Sequence, residues 1–230
     1  MQRVIPITSP LFVPETALKA CGAPEMLFAH RQPLAMEIGC GIGDFITALA
    51  AQTPQWNFLA VDIYNQGCIK TCRRLTEAAL ENVRVLRMEA RALLTSYFDE
   101  ASIAAFYINC PDPWPKKRHH YRRLVNAEFL RIARYFLVHG GEMFFCTDFE
   151  SYADEVEQLP QLPGLEFLGR TSATPAEYPH SKYMRRFLEK GLPIHFFHYR
   201  KSDDGARYER PQLAPGFRRP RTRTEETSCG

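Results

Sequence analysis

Short runs of apolar residues alternate along the chain with longer stretches whose apolar positions recur at helical spacing. The apolar runs are bounded by polar or glycine residues and predict β-strands at 34–38, 57–63, 83–88, 103–109 and 142–147. The stretches between them predict helices at 43–51, 66–80, 90–97, 126–137 and 149–159. Strands that alternate with helices of this length are typical of an α/β domain, in which a mainly parallel sheet has helices on both faces.

The pattern changes on both sides of this region. Residues 1–32 contain Pro6, Pro10 and Pro14 and predict a leader that packs on the surface, with a short helix near 16–20. Apolar runs at 165–168 and 194–199 predict the last strands, as a candidate antiparallel pair. Residues 200–230 are rich in Arg, Pro and Thr and lack apolar periodicity, so we expect a disordered tail behind a domain at 33–199.

The composition is that of a globular protein. Of the 230 residues, 45% are apolar and 24% are charged, which suits one domain with a sizeable core. The sequence shows neither a signal peptide nor an apolar run of membrane length, so we expect a soluble, cytoplasmic protein. Its seven cysteines lack zinc-site spacing, and we expect reduced thiols and no metal site.

Positive charge is concentrated in two segments. Residues 110–123 carry five Lys or Arg and one Asp, a net charge of +4, although the whole chain carries only +3. Residues 200–230 carry another +3, which leaves the remainder of the chain acidic. Such a concentration is typical of a surface that binds nucleic acid, and it argues against a small-molecule substrate.

A glycine loop follows the first predicted strand. Gly39, Gly41 and Gly43 form a GxGxG pattern at the strand end, where α/β sheets hold nucleotide-like ligands. A dinucleotide site would favour GxGxxG and a pyrophosphate. Glu37 precedes the loop, and its carboxylate would repel a pyrophosphate but suits a cationic ligand. S-adenosylmethionine carries a sulfonium and an ammonium group, so it is favoured over NAD.

Two further acids end the next two predicted strands. Asp62 is expected to accept hydrogen bonds from both ribose hydroxyls, and Glu89 is expected to meet the adenine edge. Together with Glu37 they place three acids at successive strand ends. That arrangement indicates a cofactor site more strongly than the glycine loop does alone.

The fourth predicted strand leads into a second loop at the same edge of the sheet. Asp112 lies there between Pro111 and Pro113, which exclude helix and restrict the backbone. A carboxylate held rigidly beside a methyl donor is a candidate catalytic group. Trp114 is expected either to stack on a base or to pack the loop. The cations that follow are predicted to contact phosphates: Lys116, Lys117, Arg118, Arg122 and Arg123.

Three segments carry a family resemblance. The string PDPWPKKRH at 111–119, EIGCGIG at 37–43 and CTD at 146–148 resemble the bacterial tRNA (guanine-N7)-methyltransferases. The first string is highly specific, and the resemblance covers roughly residues 33–199. It implies a Rossmann-like class I S-adenosylmethionine-dependent methyltransferase fold. It also implies transfer of a methyl group from S-adenosylmethionine to N7 of a guanosine in the tRNA variable loop.

The resemblance also implies roles for single residues. It assigns cofactor contacts to the glycine loop and to the acids Glu37, Asp62, Glu89 and Asp112. Asp112 also matches the family's proposed active-site residue. Substrate contacts are implied for Lys116 and Asp148, and we add Arg118 from the basic run and Ser181. Ser181 keeps the hydroxyl of the family's Thr-x-x-Glu pattern, but Met184 replaces its glutamate; nearby Glu177 is a candidate substitute.

Two alternative functions stay open at this stage. One is another S-adenosylmethionine-dependent methyltransferase, acting on RNA or on a small molecule. The other is a tRNA-binding homologue with reduced or lost turnover, an interpretation that Met184 supports. Methylation at N7 of a guanosine in unmodified tRNA would distinguish the tRNA (guanine-N7)-methyltransferase interpretation from both of these alternatives.

Overall fold

In a computed structural model that describes residues 5–213, seven β-strands form one sheet. In chain order they are β1 Leu34–Ile38, β2 Asn57–Val61, β3 Val83–Leu86, β4 Ile103–Asn109, β5 Leu137–Thr147, β6 Leu165–Thr171 and β7 His195–Lys201. Their order across the sheet is β3-β2-β1-β4-β5-β7-β6. The first five strands pair in parallel, and β7 runs antiparallel to β5 and β6. The predicted parallel sheet with a final antiparallel pair is confirmed.

Helices cover both faces of this sheet. Those of the described chain are α1 Glu15–Cys21, α2 Asp44–Gln52, α3 Asn65–Glu77, α4 Ala90–Tyr97, α5 Ala127–Phe136, α6 Glu150–Glu157 and α7 Lys182–Glu189. Short 3₁₀ turns span Pro24–Leu27 and Lys117–Arg122. Met36 on β1 packs into a core with α4, α5 and α6, whereas its neighbour Ala35 packs into a second core with α2 and α3. Because side chains alternate along a strand, the two cores lie on opposite faces.

Two elements differ from the sequence-based expectation. Helix α7 was not predicted, because Met184 is its one fully buried residue and most of its other positions are polar or charged. Strand β5 begins at Leu137, directly after α5, rather than at residue 142. Its first part is irregular: Gly140 has a φ of 73°, and the register with β4 shifts between Ile103 and Ala105.

Part of the predicted leader lies along the β3 edge of the sheet. Phe12 forms a parallel bridge with Val85 of β3, whose backbone N–H also donates to the carbonyl of Leu11 at 2.8 Å. Val13 and Leu18 are buried in the core. The segment therefore covers an edge that would otherwise expose unpaired backbone groups.

The tail expected from residue 200 onward begins as part of β7, since that strand extends to Lys201. Residues 202–213 have no regular structure but contact the domain. The Arg134 guanidinium of α5 lies 3.5 Å from the centre of the Tyr208 ring, and Arg210 donates to the carbonyl of Phe98. These contacts explain why this part of the tail has a defined path despite its polar composition. The expected disorder of residues 214–230 concerns a segment outside the described residues.

No helix within residues 5–213 is both long and apolar enough to cross a membrane. Over the same residues, no group of three or more His, Cys, Asp or Glu side chains is placed to hold a metal ion. The six cysteines in this range are free thiols, and Cys229 lies beyond it.

Candidate active site

The predicted loops meet at one edge of the sheet. From β1 the strand order runs in one direction to β2 and β3, and in the other direction to β4 and β5. Such a reversal opens a crevice at the carboxyl ends of the two central strands, where open α/β sheets bind ligands. The loop after β1 carries the glycines, and the loop after β4 carries Asp112. Both therefore border this crevice.

The glycine loop is packed tightly against α3. Gly43 has a φ of 81°, and a Cβ atom there would lie 2.8 Å from the Thr71 side chain. A Cβ on Gly67 of α3 would lie 2.4 Å from the carbonyl oxygen of Gly41. Larger residues at either position would push the loop away from the helix. Gly67 was not recognised from the sequence as a contact residue, although a glycine within a predicted helix is itself a signal of close approach.

Asp62 fixes the same loop from the end of β2. One carboxylate oxygen accepts from the backbone N–H of Gly41 at 2.7 Å, and the other accepts from that of Tyr64 at 2.8 Å. Burial raises the pKa of Asp62 although these bonds oppose the shift, and the nearby charge of Asp112 raises it slightly further. Asp62 and Asp112 are therefore brought together at one site. Each Asp62 oxygen has a second lone pair that can accept from a ribose hydroxyl.

Glu37 is the buried acid of the site, with 1% of its surface exposed. The Asn109 side-chain amide donates to its Oε1 at 3.3 Å, whereas its Oε2 is buried without a hydrogen-bond partner. Burial raises the pKa of the Glu37 carboxyl to about 8, and the charges of Asp62 and Asp44 contribute to the rise. A buried carboxyl with an unpaired oxygen is satisfied by a cationic group, so the site fits the ammonium of S-adenosylmethionine. Because Oε2 has no exposed surface, a ligand reaches it only when the atoms covering it move.

Glu89 has a structural partner at each oxygen. It is the N-cap of α4, where one oxygen accepts from the Ala92 N–H at 2.9 Å. The other oxygen pairs with the Arg91 guanidinium at 2.8 Å. Glu89 therefore stabilises the start of α4, and its contact with adenine stays a prediction.

The loop after β4 is held in an uncommon backbone conformation. Cys110 and Trp114 both have a φ of 45°, in the left-handed region that non-glycine residues rarely adopt. The Cys110 N–H donates to the Cys146 carbonyl at 2.9 Å, and the Arg123 guanidinium donates to the Pro113 carbonyl at 2.9 Å. Left-handed residues persist where surrounding contacts over-determine the backbone. Asp112, exposed between the two anchors, is thereby held in place.

Arg123 corrects one sequence-based expectation. It was predicted to contact phosphate, but its side chain is fully buried. Besides Pro113, its guanidinium binds the Ser151 carbonyl and the Glu155 carboxylate of α6, and it lies 4.8 Å from the Tyr152 ring. The last residue of the basic run thus ties the loop to α6 instead of facing solvent.

The other cations of the run remain at the surface. Lys116, Lys117 and Arg118 are exposed, as a phosphate contact requires. The Arg122 guanidinium lies 4.8 Å from the centre of the Trp114 ring, and the centres of the His119 and Trp114 rings lie 5.9 Å apart, with the two ring planes inclined at 64°. Trp114 is therefore packed between neighbours of its own loop in this structure.

Asp148 and Ser181 approach from the β5 side of the crevice. Asp148 follows β5; burial raises its pKa, and the charge of His195 opposes that shift. The charge of Asp148 also helps to raise the pKa of the Cys110 thiol. Asp148 therefore lies close to the start of the loop that carries Asp112. Ser181 is the N-cap of α7, and its hydroxyl accepts from the Met184 N–H at 3.2 Å.

Comparison with known proteins decides the family. Residues 31–197 match the family model described as "Putative methyltransferase". A tRNA (guanine-N(7)-)-methyltransferase of Syntrophotalea carbinolica is 52% identical over 204 residues, covering 87% of this chain and 88% of that protein. One of Geobacter metallireducens is 46% identical over 213 residues, covering 90% and 100%. The chain belongs to the tRNA (guanine-N(7)-)-methyltransferase family.

Solved structures share the fold of this tRNA (guanine-N(7)-)-methyltransferase family member at low identity. The 16S rRNA methyltransferase KamB superposes with a TM-score of 0.57 at 14% identity, over 75% of this chain and 89% of that one. An antibiotic-related methyltransferase gives 0.55 at 16% identity, over 82% and 94%. At these identities the likeness confirms the Rossmann-like methyltransferase fold.

Met184 was matched from the sequence to the glutamate of the family's Thr-x-x-Glu pattern, and this match stays a prediction. It is fully buried in a small apolar cluster with Cys146, Ile194 and Phe196. A thioether suits these neighbours, whereas an ionised carboxylate there would be desolvated. Glu177, the candidate substitute, is exposed in the loop before α7 with a φ of 59°.

Three residues near Glu37 were not recognised from the sequence. Tyr107 of β4 pairs in register with Glu37, and Asn109 lies two residues further on the same face. The Tyr178 hydroxyl donates to Asn109 at 2.8 Å from a loop distant in sequence. A polar residue at the end of an apolar strand was the available signal for Asn109; no local signal indicated Tyr178.

Proposed function

We propose that the protein transfers a methyl group from S-adenosylmethionine to N7 of a guanosine in the variable loop of tRNA. The observation that carries this proposal is the 46–52% identity, over 87–90% of the chain, to relatives named tRNA (guanine-N(7)-)-methyltransferase. The crevice supports it, because the glycine loop and the PDPWPKKRH loop border the same edge of the sheet. The roles of single residues are part of the same proposal.

The glycine loop and the acids beside it would hold S-adenosylmethionine. When bound, this cofactor supplies a methyl group made electrophilic by the adjacent sulfonium. Gly39, Gly41 and Gly43 allow close approach of the backbone, and Asp62 accepts from the ribose. Glu37 supplies the negative charge that suits the ammonium, and Glu89 lies at the end of the neighbouring strand for the adenine.

Asp112 is the proposed catalytic group. Guanine N7 carries a lone pair and no proton, so its attack on the methyl carbon needs no general base. As the new N–C bond forms and the S–C bond breaks, positive charge develops on the purine. A fixed carboxylate near the base stabilises that charge, and one such group is worth about 3 kcal/mol. The two left-handed residues that bracket Asp112 keep it in position.

The exposed basic run would orient the RNA. Lys116 and Arg118 can neutralise phosphates and give affinity without reading sequence. Asp148 and Ser181, on the other side of the crevice, would contact the guanosine. A tRNA-binding homologue with reduced turnover is the second candidate, because the family's glutamate is replaced by the buried Met184.

The test is incubation of the full chain with methyl-labelled S-adenosylmethionine and unmodified tRNA, followed by borohydride–aniline cleavage. Scission at a variable-loop guanosine is the expected result. Asp112→Asn should abolish labelling while tRNA binding persists. Asp99→Asn supplies the control, since Asp99 is also exposed but precedes β4 at the opposite end of the strand. Binding of tRNA without label would favour the homologue of lost turnover, and label at another base would refute the N7 assignment.

A further inference from the structure

A chain of hydrogen bonds leads from a distant loop to the buried acid of the cofactor site. The Tyr178 hydroxyl donates to Asn109 Oδ1 at 2.8 Å, and Asn109 Nδ2 donates to Glu37 Oε1 at 3.3 Å. Tyr178 lies between β6 and α7, 69 residues from Asn109 along the chain. None of these hydrogen bonds is needed to form the sheet ladder, so they call for a separate explanation.

The donors around Asn109 determine which way its amide points. The Cys146 thiol lies 3.5 Å from Oδ1 and donates to the same atom as Tyr178. With two donors directed at Oδ1, the NH₂ group must face Glu37. The Asn109 amide therefore accepts from two donors at its oxygen and donates one N–H to the Glu37 carboxylate. We call this chain of hydrogen bonds, from Tyr178 through Asn109 to Glu37, the relay.

Tyr178 is itself held by aromatic packing. Its ring centre lies 5.0 Å from that of Phe45 and 5.6 Å from that of Phe196. Burial raises the pKa of the Tyr178 hydroxyl well above 10, so it keeps its proton and donates at every relevant pH. The relay therefore begins from a fixed neutral donor.

We propose that Asn109, oriented by Tyr178, is a positioning residue that hydrogen-bonds one oxygen of the Glu37 carboxylate and keeps the other oxygen directed toward the ammonium group of the bound cofactor. The proposal rests on the cofactor-binding role given to Glu37 under the proposed function. It explains why Oε1 has a partner while Oε2 has none: the relay occupies one oxygen and leaves the other for the ligand. Asn109 acts through Glu37 and need not touch the ligand.

The groups around Glu37 determine how the effect of the relay on ligand affinity should depend on pH. Burial raises the pKa of Glu37 and so opposes its ionisation, as the charges of Asp62 and Asp44 do, whereas the Asn109 hydrogen bond and, to a smaller extent, the Ile46 backbone N–H lower that pKa. The neighbouring titratable groups Cys40 and Tyr178 have raised pKa values and stay neutral. Removal of the Asn109 amide should therefore move the ionisation of Glu37 to higher pH. The loss of affinity should be large near pH 7 and smaller near pH 9, where the variant's carboxyl also ionises.

The experiment measures binding of two ligands to the full chain by calorimetry without tRNA. S-adenosylhomocysteine has the ammonium, and 5′-methylthioadenosine has the same adenosine but no amino-acid part. Asn109→Leu should weaken the first by at least about tenfold at pH 7, the factor for removal of one hydrogen bond to a charged group, and leave the second within about twofold. Tyr178→Phe should act in the same direction by about 2- to 10-fold, and it removes only one hydroxyl if the first variant folds poorly.

Asn57→Leu is the matched control. Asn57 is similarly buried, but its amide donates to the His30 carbonyl at the opposite end of the sheet, and it should change neither affinity. Equal loss of both ligands, or a loss that is constant from pH 7 to 9, would overturn the relay and indicate a merely structural asparagine. If the wild type fails to bind S-adenosylhomocysteine, the proposed function fails and the relay with it. If the wild type binds and methylates tRNA but Asn109→Leu binds normally, only the relay is refuted.

Discussion

Replacement of the buried acid, Glu37→Gln, should make the free protein more stable at pH 8 while it removes cofactor binding. Burial raises the pKa of Glu37 from 4.5 in the unfolded chain to about 8 in the fold. The unfolded chain therefore releases the proton as pH rises through 4.5, and the folded chain releases it only near pH 8. Between these values folding requires uptake of a proton, so the contribution of Glu37 to stability is present below pH 4.5 and is lost as pH rises through 8.

The size of the loss follows from the same two values. At about 1.4 kcal/mol for each pH unit, the wild type should lose about 3–4 kcal/mol relative to Glu37→Gln between pH 5 and pH 8. Glutamine keeps the shape and still accepts from Asn109, but its NH₂ group then lacks a partner, which costs about 1–3 kcal/mol at every pH. We expect a variant that is less stable than the wild type at pH 5 and more stable at pH 8.

Urea unfolding of both proteins at several pH values between 5 and 8 measures this difference. Glu166→Gln is the control, because this carboxyl is exposed on β6, and it should give a nearly constant difference. Free-energy profiles of wild type and Glu37→Gln that run parallel would refute the reasoning, since Glu37 would then ionise alike in the folded and unfolded chains. Binding of S-adenosylhomocysteine to the variant should be lost over the same range.

Three further outcomes are expected. Arg123→Met should destabilise the fold by about 2–4 kcal/mol in urea unfolding, because backbone carbonyls lose a buried donor. Arg122→Met at the surface should cost less than about 1 kcal/mol, and equal losses of stability in the two variants would show that the buried guanidinium has no special role. Lys116→Glu combined with Arg118→Glu should weaken tRNA binding, and the slope of log K against log salt concentration should fall in magnitude by about 1 for each phosphate that is no longer neutralised. An unchanged slope in filter-binding measurements over a series of salt concentrations would show that the basic run lies away from the RNA. Met184→Glu should lower stability by about 3 kcal/mol or more at pH 8 and by less at pH 5, and Met184→Leu should cost less than about 1.5 kcal/mol; a stable Met184→Glu protein would show that the apolar cluster can admit a carboxylate.

Much of the fold follows from local pattern. The strands at 34–38 and 103–109 were predicted with the bounds that the structure shows. A short apolar run bounded by polar or glycine residues is typical of a strand that is buried in a sheet. Carboxyl ends of parallel strands share one edge of the sheet, so the acids at the ends of β1 and β2 and the loop after β4 could be assigned to one site. Helix α7 could not be predicted, because a short helix with one fully buried residue has almost no periodicity to detect.

Side-chain environment was harder to predict than position. The basic run was correctly expected beside Asp112, yet its last residue, Arg123, is buried against α6. A run of cations in sequence does not show which member meets a buried carbonyl and an aromatic ring. Likewise Glu89 was placed at its strand end, but its capping of α4 depends on the turn that follows β3.

The sequence by itself determined the alternation of strands and helices, the two loops of the crevice and the family pattern. Each of these features depends on residues that are neighbours along the chain. Tertiary structure alone decided what surrounds Glu37. Asn109 and Tyr178 meet because the segment between β6 and α7 folds back over the carboxyl ends of β4 and β5. The raised pKa of Glu37 arises from burial and from the charges of Asp62 and Asp44, and such long-range effects leave no mark in local periodicity.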